Sequence, residues 1–379
     1  MRIALFSECY SPIVNGVVVA VSTLRQELLR LGHQVYLFAP RYPGYQETEP
    51  NIFRFPSISL PTNPRYPLGI PLFSRDLSTH LRDFAPEVVH SHSLFGMGRA
   101  AKKAAHRQQA RLVFTYHTLL EDYSHYVPLP QPLVRWLARR VSRSFADRAD
   151  FIIAPGPAAQ QALRSYGVVN PVEIIPTGAD LSLAEESFSS PIRQRWGIPE
   201  EAPLVAFAGR IAKEKNLELL LTAFKEILSR LPAAHLLLIG GGPWEDEIQR
   251  LASRLNLSKA VHISGFLPRR EVFHALKHAQ LFAFPSLTDT QGIVVIEAMA
   301  CGLPVVATES GAVAEILRNG EEGLVVEATA ERFAQALSRV LQDTKERREM
   351  GEKARQRAQQ FSSARCAEQV LEVYRRAIA

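Results

Sequence analysis

Two α/β domains, each built on a doubly wound parallel sheet, are predicted by three features of the 379-residue chain. Short apolar runs alternate with amphipathic helical patterns from end to end, which argues for parallel sheets covered on both faces. The runs form two sets of about five or more, one in each half, so two doubly wound sheets are expected. The length is also too great for one ordinary domain.

In the first half, IALF at 3–6, VYLF at 35–38, VVH at 88–90, LVFTY at 112–116 and FIIAP at 151–155 read as strands. A helix is predicted over 18–31, ended by Gly32. Residues 176–203 contain several prolines and serines and little periodicity, and read as a linker. In the second half, LVAFAG at 204–209, HLLLIG at 235–240, VHISG at 261–265, LFAFPS at 281–286 and PVVAT at 304–308 read as strands. A second helix is predicted over 216–231, ended by Pro232, and 345–379 looks helical and charged. The expected domains are 1–175 and 204–360, with the linker 176–203 between them. Residues 361–379 are expected to form a C-terminal helix packing back towards the first domain.

Hydrophobic content of 46% and charged content of 22% are those of a soluble globular protein. Cys9, Cys301 and Cys366 are widely spaced and odd in number, which fits neither a metal site nor a disulfide framework and suggests a reducing compartment. No signal peptide or transmembrane helix is expected. The net charge of +6 is uneven: residues 1–170 hold 19 basic against 11 acidic side chains, and residues 171–379 hold 25 against 27. Within 99–148 there are 10 basic and 3 acidic residues. That excess suits a solvated helix face, an anionic membrane surface or a nucleic acid. RNA-binding aromatic signatures are absent and the second half is slightly acidic, so no nucleic-acid partner is expected.

The most informative segment is TDTQGIVVIEAMACGLPVVAT, 288–308. It reads as a loop carrying Asp289, a helix carrying Glu297 and a buried strand. Gly292 near the helix start permits close backbone approach to an anion, which a helix N-terminus favours. Two acids around such a site suit a ligand with both phosphates and hydroxyls, and a nucleotide-sugar is the obvious candidate. FAGRIAKEKN, 207–216, joins a strand to a helix at a sheet's carboxyl edge, where Arg210 and Lys215 could grip a diphosphate or simply be surface residues. LIGGGPWEDEI, 238–248, with Gly241 at its centre, is a weak phosphate loop or a plain tight turn. Asn15-Gly16 precedes a helix, where Asn15 could simply be its cap. His117 follows a strand, with Glu121, Asp122, Tyr123, His125 and Tyr126 close behind. No metal-ligand spacing surrounds His117 and His125. HSHS at 90–93 reads as satisfied strand-end histidines rather than a metal site.

Taken together, these motifs resemble the retaining glycosyltransferases of family 4, over essentially the whole chain. The resemblance implies the GT-B fold, two Rossmann-like domains facing each other across a cleft. It also implies a diphosphate held by Arg210 and Lys215 and approached by Asn15, Gly16 and Gly241. Glu297 would bind the ribose and Asp289 the sugar hydroxyls. The backbone of Thr290, Gln291, Gly292 and Ile293 would hold the sugar, with His117 beside it. Two departures stand out: the first acid is usually Glu, not Asp289, and Gln291 replaces a usual Phe. HTLLEDYSHYVP is similar to a stretch of the bacterial diacylglycerol glucosyltransferases, and so is the Thr-Gln-Gly after the first acid. That narrower likeness implies a lipid acceptor met near Glu121, Asp122, Tyr123 and Tyr126. It also implies a peripheral location on the inner face of the cytoplasmic membrane.

The resemblance implies front-face transfer from a UDP-sugar; no Asp-x-Asp metal motif appears, so no tightly bound cofactor is expected. Catalytic contacts would come from Asp289, His117, Arg210 and Lys215. Docking on anionic lipid would use Arg99, Lys102, Lys103 and Arg107, then Arg135, Arg139, Arg140 and Arg143, with Leu133, Val134, Trp136 and Leu137 as an apolar wedge. A transferase on a soluble or polyprenyl-linked acceptor and a nucleotide-sugar isomerase remain alternatives. The sequence leaves the oligomeric state open.

Overall fold

The computed structural model describes residues 1–13, 15–60, 63–117, 120–121, 130–188, 192–287 and 292–379. It divides into two units, Met1–Gly178 with Ser363–Ala379, and Ala179–Ser362. Along the first unit run β1 (Arg2–Phe6), β2 (Gln34–Pro40), β3 (Ile52–Phe55), β4 (Ser57–Leu60), β5 (Asn63–Gly69), β6 (Val88–Ser91), β7 (Arg111–Thr115), β8 (Phe151–Ala154) and β9 (Val172–Ile174). Seven of these pair in parallel in the order β3-β2-β1-β6-β7-β8-β9, while β4 and β5 form a separate antiparallel pair. The side-chain period of two gives this sheet two cores. Ala4 and Phe6 pack on one face with Phe38, Phe55 and Phe114, and Ile3 and Leu5 on the other with Val35, Leu37 and Val113.

The second unit carries β10 (Leu204–Ala208), β11 (His235–Ile239), β12 (Val261–Ile263), β13 (Leu281–Phe284), β14 (Val305–Thr308) and β15 (Gly323–Val326). All are parallel, in the order β12-β11-β10-β13-β14-β15. Every residue of β10 is buried, with Leu204, Ala206 and Ala208 in one core and Val205 and Phe207 in the other. Both halves are therefore doubly wound α/β sheets, as the apolar runs predict. The strand order reverses between β1 and β6 in the first sheet and between β10 and β13 in the second. Ligands of open α/β sheets bind at the carboxyl ends of strands flanking such a reversal.

Residues 179–203 differ from the linker expected of them. Ala179, Leu181, Ile192, Ile198 and Ala202 are buried in a core of the second unit. Arg193, 2% exposed, pins the segment there by donating to the carbonyls of Pro199 and Ala202, both at 2.9 Å, and to that of His278. Polar composition hides this role, because the segment is held by backbone carbonyls gathered on one guanidinium rather than by an apolar stripe. The chain passes between units at Gly178–Ala179 and again at Ser362–Ser363. The last helix, Ser363–Ile378, belongs to the first unit, where Val370, Leu371, Val373 and Tyr374 join the core beneath the helix Gly16–Arg30. Among the described residues no helix is long and apolar enough to cross a membrane.

Candidate functional site

At the reversal of the second sheet, the loop after β10 is stitched to the end of β13. Asn216 Nδ2 donates to the Pro285 carbonyl at 3.3 Å, and Ser286 Oγ donates to the Glu214 carbonyl at 3.4 Å. Thr308 Oγ1, at the end of β14, donates to the Ser286 carbonyl at 3.2 Å. Arg210 and Lys215 therefore stand on a loop fixed at the carboxyl edge beside the start of the segment leading to Gly292. Arg210 is ion-paired with Glu214 across one turn. Lys215 closes the short helical turn Lys213–Lys215, and Asn216 follows at φ +53°.

Gly292 sits at φ +65° as the N-cap of the helix Ile293–Ala300. No acid lies in that helix's first turn, so its N-terminus is electrostatically open to an anion. The helix after the glycine-rich turn is the opposite case: Glu245, Asp246 and Glu247 already fill the first turn of Glu245–Arg254. The glycines there serve close packing of the chain on itself. A Cβ on Gly240 would fall 2.1 Å from the Gly209 carbonyl oxygen, and one on Gly242 2.2 Å from that of Ile211. Gly241 lies under Phe266, whose ring would be 2.9 Å from its Cβ. Phe266 is 75% exposed, a feature its surroundings in the sequence do not announce.

Glu297 is buried on the helix Ile293–Ala300, and its Oε1 accepts from Arg269 Nη2 at 2.8 Å and Nε at 3.2 Å. Arg269 also donates to the Asp180 carbonyl at 2.8 Å and its Oδ2 at 3.2 Å. Burial pushes the Glu297 carboxyl up, and Arg269 works against that shift. Among the described residues Oε2 has no hydrogen-bond partner, so one oxygen is left for a ligand. Arg269 and Asp180, 28 and 117 positions from Glu297 in the sequence, had no local signal. Asp289, Thr290 and Gln291 lie outside the described residues.

In the first unit, His117 follows β7 and is partly exposed. Its Nε2 is 2.9 Å from His92 Nδ1. His90 is held at both nitrogens, by Tyr374 Oη and Thr115 Oγ1, each at 2.7 Å. His90 is thus satisfied as the sequence suggests, but His92 is not: its buried Nε2 has no partner among the described residues. The two rings, two residues apart on one strand edge, share a face with centroids 4.1 Å apart. Burial holds all three imidazoles well below the usual range, His90 at about 3 and His117 at about 4. No set of three or more His, Cys, Asp or Glu side chains among the described residues could hold a metal ion.

Asn15 caps the helix Gly16–Arg30, its Oδ1 accepting from Val18 N at 2.9 Å. Gly16 faces open space where a Cβ would meet nothing within 4 Å. Glu8, which the sequence reading passed over, fills the reversal point of the first sheet: its carboxylate accepts from the backbone of Gly69 and, at 2.8 Å, of Met97 on the helix Gly96–Gln108. An anion at that N-terminus would meet this carboxylate, so the second sheet is the better phosphate site.

The helix Gln131–Ala146 has an apolar stripe on its outer face. Leu133, Leu137 and Val141 are exposed at four-residue spacing, with Trp136 beside them and the Arg140 guanidinium 5.5 Å from its ring. Two expectations need correction. Val134 turns inward and is buried. Arg139 is not a free surface cation: it makes a two-pronged bond to Glu121 at 2.8 and 2.9 Å. Partial burial opposes the Glu121 charge, but Arg139 and Tyr166 outweigh it and hold the carboxyl low. Arg143 pairs with Asp147 at 3.3 Å. Asp122, Tyr123, His125 and Tyr126 lie outside the described residues.

Two family profiles match the chain: "Glycosyltransferase Family 4" over residues 14–183 and "Glycosyl transferases group 1" over residues 189–357. An alpha-monoglucosyldiacylglycerol synthase of Acholeplasma laidlawii is 28% identical over 336 residues, covering 86% of this chain and 84% of that protein. A D-inositol 3-phosphate glycosyltransferase of Nocardia farcinica is 31% identical over 415 residues, covering 100% of this chain and 90% of that protein. Among solved structures, sucrose-phosphate synthase from Thermosynechococcus elongatus superposes with a TM-score of 0.78 at 23% identity, covering 99% of this chain and 98% of that one.

Proposed function

The chain belongs to glycosyltransferase family 4, and from that premise we propose that it moves a hexose, glucose for preference, from a UDP-sugar to diacylglycerol with retention at the anomeric carbon. The observation that carries the donor side is the second unit's reversal point. There the loop bearing Arg210 and Lys215 is tied to the end of β13, beside an open helix N-terminus and a buried carboxylate with one oxygen to spare. The two cations and the N-terminus suit a diphosphate, and Glu297 Oε2 suits a ribose hydroxyl. Asp289 and the backbone of Thr290, Gln291, Gly292 and Ile293 complete the sugar contacts in this reading, with Gly241 near the diphosphate.

The acceptor hydroxyl attacks on the face that the diphosphate leaves. As its oxygen bonds to the anomeric carbon, the carbon–phosphate-oxygen bond breaks and a diphosphate oxygen takes the hydroxyl proton. Arg210, Lys215 and the helix N-terminus then stabilise the departing charge, and no resident metal takes part.

On the acceptor side, relatives bearing the name alpha-monoglucosyldiacylglycerol synthase favour a lipid. The exposed apolar stripe with its arginines supports it independently, since apolar side chains flanked by cations suit the surface of an anionic membrane. The protein then works as a peripheral enzyme on the cytoplasmic face, taking its acceptor near Glu121, Asp122, Tyr123 and Tyr126. D-inositol 3-phosphate, named for another relative, is the competing soluble acceptor. A panel of labelled nucleotide-sugars incubated with a total lipid extract, diacylglycerol or D-inositol 3-phosphate tests the assignment. Label entering the organic phase from UDP-glucose supports it; label on inositol phosphate alone, or an isomerised nucleotide-sugar without acceptor, overturns it.

A further inference from the structure

We propose that His92 is a positioning residue: it holds the His117 ring and decides which His117 nitrogen carries the proton. Its effect on turnover rests on the reading of His117 as a ligand-contacting residue. The tautomer itself is a property of the first unit alone.

His92 lies just past the end of β6, two residues after His90, and is 6% exposed. Its Nδ1 faces His117 Nε2 at 2.9 Å, so one of these two nitrogens carries a proton and the other a lone pair. Burial without a facing carboxylate keeps both rings neutral. Each tautomer of the pair then fixes all four nitrogens. If His117 donates, His92 must carry its own proton on Nε2. That atom is buried and has no partner among the described residues. A buried N–H without an acceptor is the rarer and costlier orphan, whereas a bare ring nitrogen is tolerated more readily.

The space around the pair points the same way. Both rings line a pocket of about 40 Å³ shared with Thr23 and Leu24 of the helix Gly16–Arg30 and with Cys366 and Val370 of the last helix. Among the described residues that line it, none offers an acceptor to a proton on His92 Nε2. His90 cannot supply this role, since both its nitrogens are engaged. The lower-cost arrangement puts the proton on His92 Nδ1, which donates to His117 Nε2. His117 then carries its own proton on Nδ1. That atom has no partner among the described residues, so the partly exposed ring presents an N–H donor to a ligand oxygen.

Long-range proton–nitrogen spectra of the full chain labelled with ¹⁵N-histidine test this, with the His117 signals identified by their loss in His117→Gln. His117 should be protonated on Nδ1. His92→Asn, whose amide nitrogen replaces ring Nδ1, should keep that pattern and stay within about threefold of the normal kcat. His92→Gln fills more of the space but sets its amide at the Nε2 position. It should lose the pattern and lower kcat about 10- to 100-fold with little change in KM for the nucleotide-sugar. A purely structural role would rank the variants by thermal stability and treat Asn and Gln alike. Protonation of His117 on Nε2, or equal losses of kcat in the two variants, would overturn the proposal. Normal turnover by His117→Gln would instead refute the ligand-contacting role of His117, with the spectra still deciding the tautomer.

Discussion

Glu297 is the residue whose surroundings say most about its role. A carboxylate that deep costs stability unless a cation faces it, and Arg269 supplies that cation while leaving Oε2 without a partner among the described residues. Removing the guanidinium in Arg269→Ala leaves burial unopposed and drives the Glu297 carboxyl further up. An acid whose pKa is raised on folding weakens the fold as pH rises from its unfolded towards its folded value. Arg269→Ala should therefore lose about 1–3 kcal/mol relative to wild type at pH 8 and markedly less at pH 5. Thermal unfolding at the two pH values checks this, and an equal loss at both would show that the pair is not coupled to ionisation. The proposed donor clamp makes a kinetic prediction. Lys215→Ala should cost about 2–4 kcal/mol in kcat/KM, the scale for losing a positioned electrostatic donor. Steady-state rates near wild type would take Lys215 out of the site. Glu297 was legible in the sequence because a lone acid in an apolar helix stands out. Arg269 and Asp180 were not, because side chains far apart in the sequence leave no local trace.

At the scale of elements, Gln131–Ala146 has two apolar faces, and only one is covered. Val134 and Phe145 turn inward, while Leu133, Leu137 and Val141 face out. With Arg139 tied to Glu121 and Arg143 to Asp147, the charge that this helix itself offers a membrane rests mainly on Arg135 and Arg140, in addition to Arg99, Lys102, Lys103 and Arg107 of the helix Gly96–Gln108. Arg140→Gln should weaken binding to anionic vesicles about fivefold, since one basic residue near such a surface contributes about 1 kcal/mol. Leu137→Ser should weaken it further without lowering the unfolding temperature. Vesicle sedimentation decides: equal binding to neutral and anionic vesicles would make the helix an ordinary solvated face. Strands with four or more consecutive apolar residues were readable from the sequence alone. Ile52–Phe55 and Val172–Ile174 were not, since Arg54 and Glu173 interrupt them, nor was Gly323–Val326, which opens on a glycine. The split of the arginines into paired and unpaired was invisible too, because it depends on which loop reaches the helix.

For the whole molecule, the apolar runs carried the two doubly wound sheets. They could not place the crossings between units, because 179–203 packs by carbonyls converging on Arg193 rather than by periodicity. The last helix completes the first unit's core, with Tyr374 bonded to His90 beside the strand end that leads to His92 and His117. Ending the chain at Ser362 should therefore unfold the first unit, and calorimetry showing an unchanged transition would contradict that. The central proposal is that the chain makes a glucolipid from a soluble nucleotide-sugar. Its most direct test is the proton NMR spectrum of the product formed from UDP-glucose and detergent-dispersed diacylglycerol. The account predicts a glucosyl-diacylglycerol whose anomeric coupling is that of the α-linkage. A β-linked product, or no glucolipid from enzyme that still binds UDP, would contradict it.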